Sequence, residues 1–129
     1  MISFFFNINR SFLEYPNHPI TIPRENNSVL IKEVYGGQGN KTIPARITAP
    51  QGRTLDGEIY FGVSGYGPYY QIKTLGDYPG YYFGDLQVGD IAFVIIKKVN
   101  DKTVVKICPS EELRKMIDNL NKPNDCMVN

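Results

Sequence analysis

Residues 57–74 read GEIYFGVSGYGPYYQIKT, two runs of alternating apolar and polar residues separated by a glycine-rich segment at 64–68. Successive side chains of a strand point to opposite faces, so this alternation predicts two strands joined by a turn. One face of the pair is apolar and is expected to point into a core, whereas the other face is polar and aromatic. The apolar face comprises Ile59, Phe61, Tyr70 and Ile72.

The glycines place the whole middle of the chain in strands and turns. All twelve lie between Gly36 and Gly89, at intervals that no long helix tolerates. A length of 129 residues is enough for one domain with a single core. We therefore expect one domain over residues 1–120 and a flexible C-terminal tail over residues 121–129.

Further strand signals stand on both sides of this middle. Residues 91–96 form a continuous apolar run, typical of a buried strand, and the turn residues Asn100-Asp101 predict a hairpin onto a strand at 103–107. A capping serine and apolar residues at helical spacing predict one short C-terminal helix over 110–120. Seven or so short strands with one helix indicate a mainly β fold, either a small barrel or a sandwich. The remaining strands are predicted at 2–8 on a sheet edge, at 28–35, and at 42–48, where Pro44 indicates an edge or a bulge.

The charge of the chain is nearly balanced overall but is segregated along its length. Fourteen basic and thirteen acidic residues leave a net charge of +1, which excludes a protein held on polyanions by bulk charge alone. Residues 32–53 and 91–106 are locally basic, whereas residues 77–90 are acidic. The chain can therefore offer a basic face wherever the fold brings the basic segments together.

Cysteine content and hydropathy favour a cytoplasmic protein. The two cysteines, Cys108 and Cys126, do not make a disulfide framework, and we interpret Cys108 as a small buried apolar side chain. No run of the sequence approaches the ~18 apolar residues that a membrane helix requires. We therefore expect no membrane as a partner.

Side chains that could support catalysis are sparse. The single histidine, His18, lies in a proline-rich segment and is expected on the surface, which argues against a metal site or a Ser-His-Asp arrangement. Asp56 and Glu58 could present two carboxylates for a small magnesium-dependent nuclease, although a solvated turn flank explains them more simply. We expect no catalytic residue, no metal site and no cofactor.

Two glycine-rich turns are better suited to surface recognition. Amides of Asn and Gln can pair with adenine edges, Lys with guanine or phosphate, and Tyr can contact sugars or bases. Exposed hairpin turns are polar for other reasons as well, so these residues alone do not establish binding. They are Gln38, Asn40, Lys41 and Thr42 in the first turn, and Ser64, Tyr66, Tyr69 and Gln71 in and after the second.

Three stretches within residues 29–107 resemble the B3-type DNA-binding pseudobarrel. Residues 29–46, ending in Ile43-Pro44-Ala45-Arg46, resemble the first strand, the N-terminal recognition arm and the following strand of that family. Residues 58–74 resemble the next strand, the C-terminal recognition arm and the strand after it. Residues 86–93, LQVGDIAF, are similar to the Leu-x-x-Gly-Asp segment with which the family enters its buried hairpin.

The resemblance implies a seven-stranded open β-barrel, a pseudobarrel, whose two arms enter the major groove of double-stranded DNA. Side chains of the arms and of the outward strand face beside them would then contact bases. The positions that the resemblance carries over are Gln38, Asn40 and Lys41 from one arm, and Ser64, Tyr66 and Tyr69 from the other. We extend this set by Gln71 and Lys73 from the outward strand face, and by Thr42 from the first turn. The expected phosphate-neutralising side chains are Lys32, Arg46, Arg53 and Lys73.

The segment at 76–84 is rich in glycine, tyrosine and proline and replaces a helix that is usual in the family. This departure favours the bacterial branch, the DNA-recognition domains of restriction endonucleases. Domains of that branch read short duplex sites while a separate domain or subunit cleaves the DNA. The resemblance therefore implies a sequence-specific and non-catalytic module of a restriction-modification enzyme, with a nuclease domain or subunit as its partner.

A function of a different class stays open, namely a protein-interaction or small-ligand barrel that binds through a tyrosine-rich surface. Binding to a neutral partner through tyrosines should barely respond to salt, whereas binding to DNA phosphates should weaken steeply. The surface would comprise Tyr66, Tyr69, Tyr70, Tyr78, Tyr81 and Tyr82.

Overall fold

A sheet of seven strands curls into a nearly closed barrel. The structure is a computed structural model and describes residues 1–76, 83 and 86–109. Short 3-10 turns lie at Arg24–Asn26 and Pro50–Gly52. In chain order the strands and helices are β1 (Ile2–Asn7), α1 (Arg10–Glu14), β2 (Ile20–Thr21), α2 (Asn27–Glu33), β3 (Ile43–Thr48), β4 (Thr54–Ser64), β5 (Gly67–Thr74), β6 (Ile91–Val99) and β7 (Lys102–Pro109).

The strand order in the sheet is β1-β6-β7-β3-β4-β5-β2, which leaves β1 and β2 at its edges. Neighbouring strands are antiparallel except for β3 and β7, which run parallel. The mainly β class and the seven-stranded pseudobarrel predicted from the sequence are confirmed, and so is the edge position of the first strand. The helix predicted at 110–120 and the tail predicted at 121–129 lie outside the described residues.

The hairpin of β4 and β5 forms as the alternation of its sequence predicts. The two strands pair antiparallel, with Tyr60 opposite Gln71. The expected inward residues Ile59, Tyr70 and Ile72 are each at most 1% exposed, because a strand that covers a core buries every second side chain. The opposite face of the hairpin stays partly exposed and carries the polar and aromatic residues.

The predicted hairpin at Asn100-Asp101 is also present, between β6 and β7. Val99 pairs with Lys102, and the two turn residues have φ angles of 50° and 64°. Two-residue turns with left-handed backbone match the twist of an antiparallel pair, and Asn and Asp adopt that backbone more readily than most residues. The turn residues therefore fix the register of this buried pair of strands.

The prediction of a strand at 28–35 is wrong, because residues 27–33 form helix α2. Leu30 and Val34 lie one helical turn apart and are 0% and 2% exposed. In a strand Lys32 would share the face of those two apolar residues, whereas in a helix it points away from them. The β-branched composition favoured a strand, but the spacing of the apolar residues fits a helix that packs against the core. The first strand of the B3-type pseudobarrel, which residues 29–35 resemble in sequence, therefore has no counterpart in this segment.

Pro44 does not mark an edge strand, since β3 lies between β4 and β7. The pairing of β3 with β7 begins only at Arg46, opposite Val104. Pro44 pairs with Glu58 of β4 and lies before the part of β3 that has a neighbour on both sides. A proline has no backbone N–H to donate, so a strand tolerates it at a position where no second neighbouring strand needs that hydrogen bond.

His18 is buried, which corrects its expected surface position. It is 4% exposed and has a φ angle of 43°. Its ring stands 5.8 Å from the ring of Phe12 and 4.4 Å from that of Phe83. Its Nδ1 lies 2.6 Å from the backbone oxygen of Phe12. The apolar faces of the imidazole therefore pack in an aromatic cluster while a polar edge reaches a hydrogen-bonding group of the backbone.

The structure bears on the expected cellular location in two ways. Cys108 is 2% exposed, as expected, but it is disulfide-bonded, so the cysteine argument for a reducing compartment no longer supports the cytoplasmic prediction. The other cysteine, Cys126, lies outside the described residues. None of the helices in the described part of the chain has the length and apolarity needed to span a membrane.

Candidate nucleic-acid interface

The first arm, residues 36–42, is held against the β4–β5 hairpin. The hydroxyl of Tyr70 donates a hydrogen bond to the backbone oxygen of Gly39, and the backbone N–H of Phe61 donates to Thr42 Oγ1 at 3.0 Å. A Cβ atom at Gly39 would come within 2.6 Å of the Tyr70 hydroxyl, so the approach requires a glycine. Thr42 therefore uses its acceptor to position the arm, while Gln38, Asn40 and Lys41 are exposed.

The second arm, residues 64–68, is a tight turn fixed from two sides. The backbone N–H of Tyr66 donates to Ser64 Oγ at 3.2 Å, and the guanidinium of Arg24 donates to the backbone oxygen of Tyr66 at 2.7 Å. The Tyr66 ring itself is 90% exposed. The backbone of this turn is thus constrained, and it presents an aromatic side chain to solvent.

Both arms lie at the same end of the barrel. The first arm leads into β3, the second arm follows β4, and these two strands are antiparallel. The beginning of β3 and the end of β4 therefore point to one end. The structure thus brings together the two glycine-rich segments that the sequence singled out.

The side chains on the outward face of the β4–β5 hairpin contact one another and Thr21 of β2. The Tyr60 and Tyr69 rings stand 6.1 Å apart, and the ammonium of Lys73 lies 3.8 Å from the centre of the Tyr60 ring. Gln71 donates from Nε2 to Thr21 Oγ1 at 3.0 Å. Tyr69, Gln71 and Lys73 therefore form an ordered surface beside the second arm.

The predicted phosphate-neutralising residues are spread over the barrel. Arg46 forms an ion pair with Asp56 at 2.6 Å on the outward face of β3 and β4, and Lys32 is exposed in the last turn of α2. Arg53 follows the end of β3. It therefore lies at the barrel end opposite the first arm, so the structure does not bring Arg53 together with the arms.

Sequence reasoning left out two lysines that the fold places near the first arm. Lys98 and Lys102 flank the β6–β7 turn, which lies at the arm end because β7 runs parallel to β3. Together with Lys41 they line a cleft of about 880 Å³ whose wall includes Tyr35. The local excess of basic residues at 91–106 was the available signal, but only the parallel pairing relates it to residues 36–42.

Tyr35 lies in the wall of this cleft and is buried, with its hydroxyl 3.4 Å from the backbone oxygen of Ile59. Burial raises the pKa of its phenol above the ordinary value of 10.0, and the neighbouring Tyr70 raises it further. The folded state therefore holds this proton more tightly than the unfolded chain does. The resulting stability is present below pH ~10 and is lost as the pH rises above that value.

We expect Tyr35→Phe to make the protein less sensitive to alkali. Between pH 8 and pH 11, the free energy of unfolding measured in urea should fall less steeply than in the wild type. At pH 8 the variant should lie within about 1 kcal/mol of the wild type, because the hydrogen bond that it loses is long. If the free energy of unfolding falls by the same amount in both proteins between pH 8 and pH 11, the raised pKa of Tyr35 does not contribute to the loss of stability in alkali.

The alternative surface of six tyrosines does not form as predicted. Tyr70 is 1% exposed and faces the core, because it alternates with the outward Tyr69 along β5. Tyr78, Tyr81 and Tyr82 lie outside the described residues. Over residues 1–76, 83 and 86–109 the structure contains no group of three or more His, Cys, Asp or Glu side chains that could hold a metal ion.

Comparison with known proteins relates the chain to one described fold. No family model matches the chain, and no curated protein matches it. Among solved structures it is similar to the Arabidopsis FUS3–DNA complex, a plant B3 domain, with a TM-score of 0.53 and 14% sequence identity. The match covers 81% of this chain and 94% of that chain. At this identity the likeness shows the fold.

Proposed function

We propose that this chain, whose fold is that of a B3-type pseudobarrel, binds double-stranded DNA and reads it in the major groove through its two arms. The observation that carries the proposal is the meeting of two anchored, glycine-rich polar arms at one end of the barrel. The Arabidopsis FUS3 domain, which shares this fold, was solved as a complex with DNA. The net charge of the whole chain is only +1, but residues 32–53 and residues 91–106 are each locally basic, and positive charge attracts DNA phosphates.

The arms carry the chemistry for direct readout. The exposed amides of Gln38 and Asn40 can donate and accept at once, as recognition of an adenine edge requires. Lys41 can contact a guanine edge or a phosphate, and Tyr66 can pack on a base or sugar. The anchored backbones of the arms would keep these side chains in place before binding, which lowers the entropic cost of forming the complex.

We further propose that DNA recognition here is sequence-specific and serves a bacterial restriction enzyme in the cytoplasm. This assignment rests on the resemblance to the recognition domains of such enzymes within residues 43–107, since the resemblance of residues 29–35 to a strand is not met. In that role the barrel itself is not catalytic, and cleavage belongs to a nuclease domain or subunit elsewhere. The remaining proposed contacts are Ser64, Tyr69 and Gln71 beside the second arm, Thr42 in the first, and Lys32, Arg46, Arg53 and Lys73 toward phosphates.

Selection from a pool of random duplexes, performed with unmethylated and with methylated DNA, tests the proposal. We expect one short site to be enriched. Affinity for that site should fall by on the order of a hundredfold or more between 50 and 200 mM salt, because several phosphates are neutralised. A pool that enriches no sequence even at low salt would contradict sequence-specific binding. Binding that barely responds to salt would favour a protein or small-ligand surface instead, for which Tyr66 and Tyr69 are those of the six predicted tyrosines that the described structure leaves at least partly exposed.

A further inference from the structure

The cleft between the first arm and the β6–β7 turn carries two lysines, Lys98 and Lys102, that the two-arm function does not use. Lys41 approaches it from the arm, and Lys98 and Lys102 approach it from the two sides of the turn. The parallel pairing that sets Arg46 opposite Val104 fixes this proximity, because it places the beginnings of β3 and β7 side by side. The pairing of the strands therefore sets the position of the β6–β7 turn beside the first arm.

The three lysines of the cleft are available to a ligand. All three are exposed, and neither the ion pair of Arg46 with Asp56 nor that of the N-terminus with Glu33 involves any of them. The charged side chains that line the cleft are Lys41, Arg46, Lys98 and Lys102 against Asp56 and Asp101. Positive charge thus exceeds negative charge in the lining, so the cleft favours an anion.

We propose that this cleft binds a backbone phosphate of the same duplex that the arms read, which makes the β6–β7 turn a third DNA-contacting element. The inference rests on the proposed function. Lys41 belongs both to the first arm and to the cleft, so a duplex held by the arms continues across it. Lysine ammonium groups on flexible stems act as point charges and suit a phosphate whose exact position varies with DNA sequence.

The dimensions agree with a single duplex spanning both sites. In the sheet, β4 and β6 are separated by β3 and β7, so they lie three strand spacings or about 15 Å apart across the sheet. The β6–β7 turn is level with Ile59 of β4, and Ser64 of the second arm lies five residues further along that strand, which adds about 17 Å in the strand direction and gives a separation of roughly 23 Å. One helical turn of B-DNA is about 34 Å long. The second arm and the β6–β7 turn can therefore face the same turn of DNA.

The double variant Lys98→Gln with Lys102→Gln tests the inference in the full chain. Its affinities for the selected duplex and for an unrelated duplex are measured between 50 and 200 mM salt. Both affinities should fall together by about tenfold or more at 100 mM salt, and the slope of log affinity against log salt should decrease by about two. The preference for the selected duplex should stay the same, because a phosphate contact carries no base information.

The matched control is Arg10→Gln, which removes an exposed positive charge at the other end of the barrel, after β1. This control is compared with the single variant Lys102→Gln. The slope of log affinity against log salt should decrease by about one in Lys102→Gln and should stay at the wild-type value in Arg10→Gln. Circular dichroism and thermal unfolding confirm that each variant is folded. If the wild type binds DNA and the lysine variants keep its slope, the cleft inference alone is overturned. If the wild type binds no duplex, the proposed function fails and the inference fails with it.

Discussion

Replacing Gln38 and Tyr66 together by alanine lowers the affinity for the selected duplex by about 100-fold or more, while the affinity for an unrelated duplex hardly changes. The two side chains project from different arms, and both are exposed. A good base contact is worth about 1–3 kcal/mol, and contacts on separate loops add approximately. Competition with labelled selected and scrambled duplexes at one salt concentration measures both affinities.

The matched control for this double variant is Gln38→Ala with Tyr66→Phe. It keeps the exposed ring of Tyr66 and removes only the hydroxyl. It therefore shows whether Tyr66 contributes to the affinity through packing of its ring or through a hydrogen bond of its hydroxyl. Since the backbone of Tyr66, and not its side chain, accepts from Arg24, neither substitution loosens the turn. Equal losses of affinity for both duplexes would show that these arm residues do not read sequence.

Replacing Phe12 by alanine lowers the free energy of unfolding by about 3–5 kcal/mol. Phe12 is 0% exposed, and its ring contacts those of Phe6, His18 and Phe83 at 5.5, 5.8 and 4.9 Å between centres. Truncation would leave a cavity inside this cluster. Since the total stability of a small domain is about 5–15 kcal/mol, urea or thermal unfolding should detect the loss easily.

Phe5→Ala is the matched control for Phe12→Ala. Phe5 lies on the edge strand β1, is 60% exposed, and contacts the ring of Phe93 at 5.3 Å between centres. Because solvent already reaches most of this ring, its removal leaves no enclosed cavity, and we expect a loss of about 1 kcal/mol. Comparable losses in the two variants would contradict the assignment of Phe12 to the centre of the core.

The parts of the fold that sequence predicts correctly are those encoded by neighbouring residues. The β4–β5 hairpin follows from period-two alternation around a glycine-rich turn, and the β6–β7 hairpin follows from an apolar run and Asn100-Asp101. Helix α2 was missed because β-branched composition and helical spacing conflict in that segment, and burial of Leu30 and Val34 decides between them. Tertiary packing routinely overrides such weak local preferences.

The composition of the candidate site was predicted less well than the fold. The two arms stood out as polar, glycine-rich turns, whereas the anchoring of the first arm through Thr42 and Tyr70 emerges only from contacts between residues far apart in sequence. Lys98 and Lys102 were not connected with the first arm, because the parallel pairing of β3 with β7 has no local signature. Arg53 was included because it is close to Arg46 in sequence, although the whole of β3 separates it from the arms.

The pairing of β1 with β6 also bears on how the chain reaches its native state. Ile2 lies opposite Ile96, so β1, which is synthesised before every other strand of the barrel, finds its partner only when nearly all of the described chain has been synthesised. Closing so long a loop costs conformational entropy before any contact compensates for it, and sheets built from such distant pairs fold slowly. Until then the Phe4-Phe5-Phe6 segment stays without its neighbouring strand, which makes the nascent chain prone to aggregation during translation.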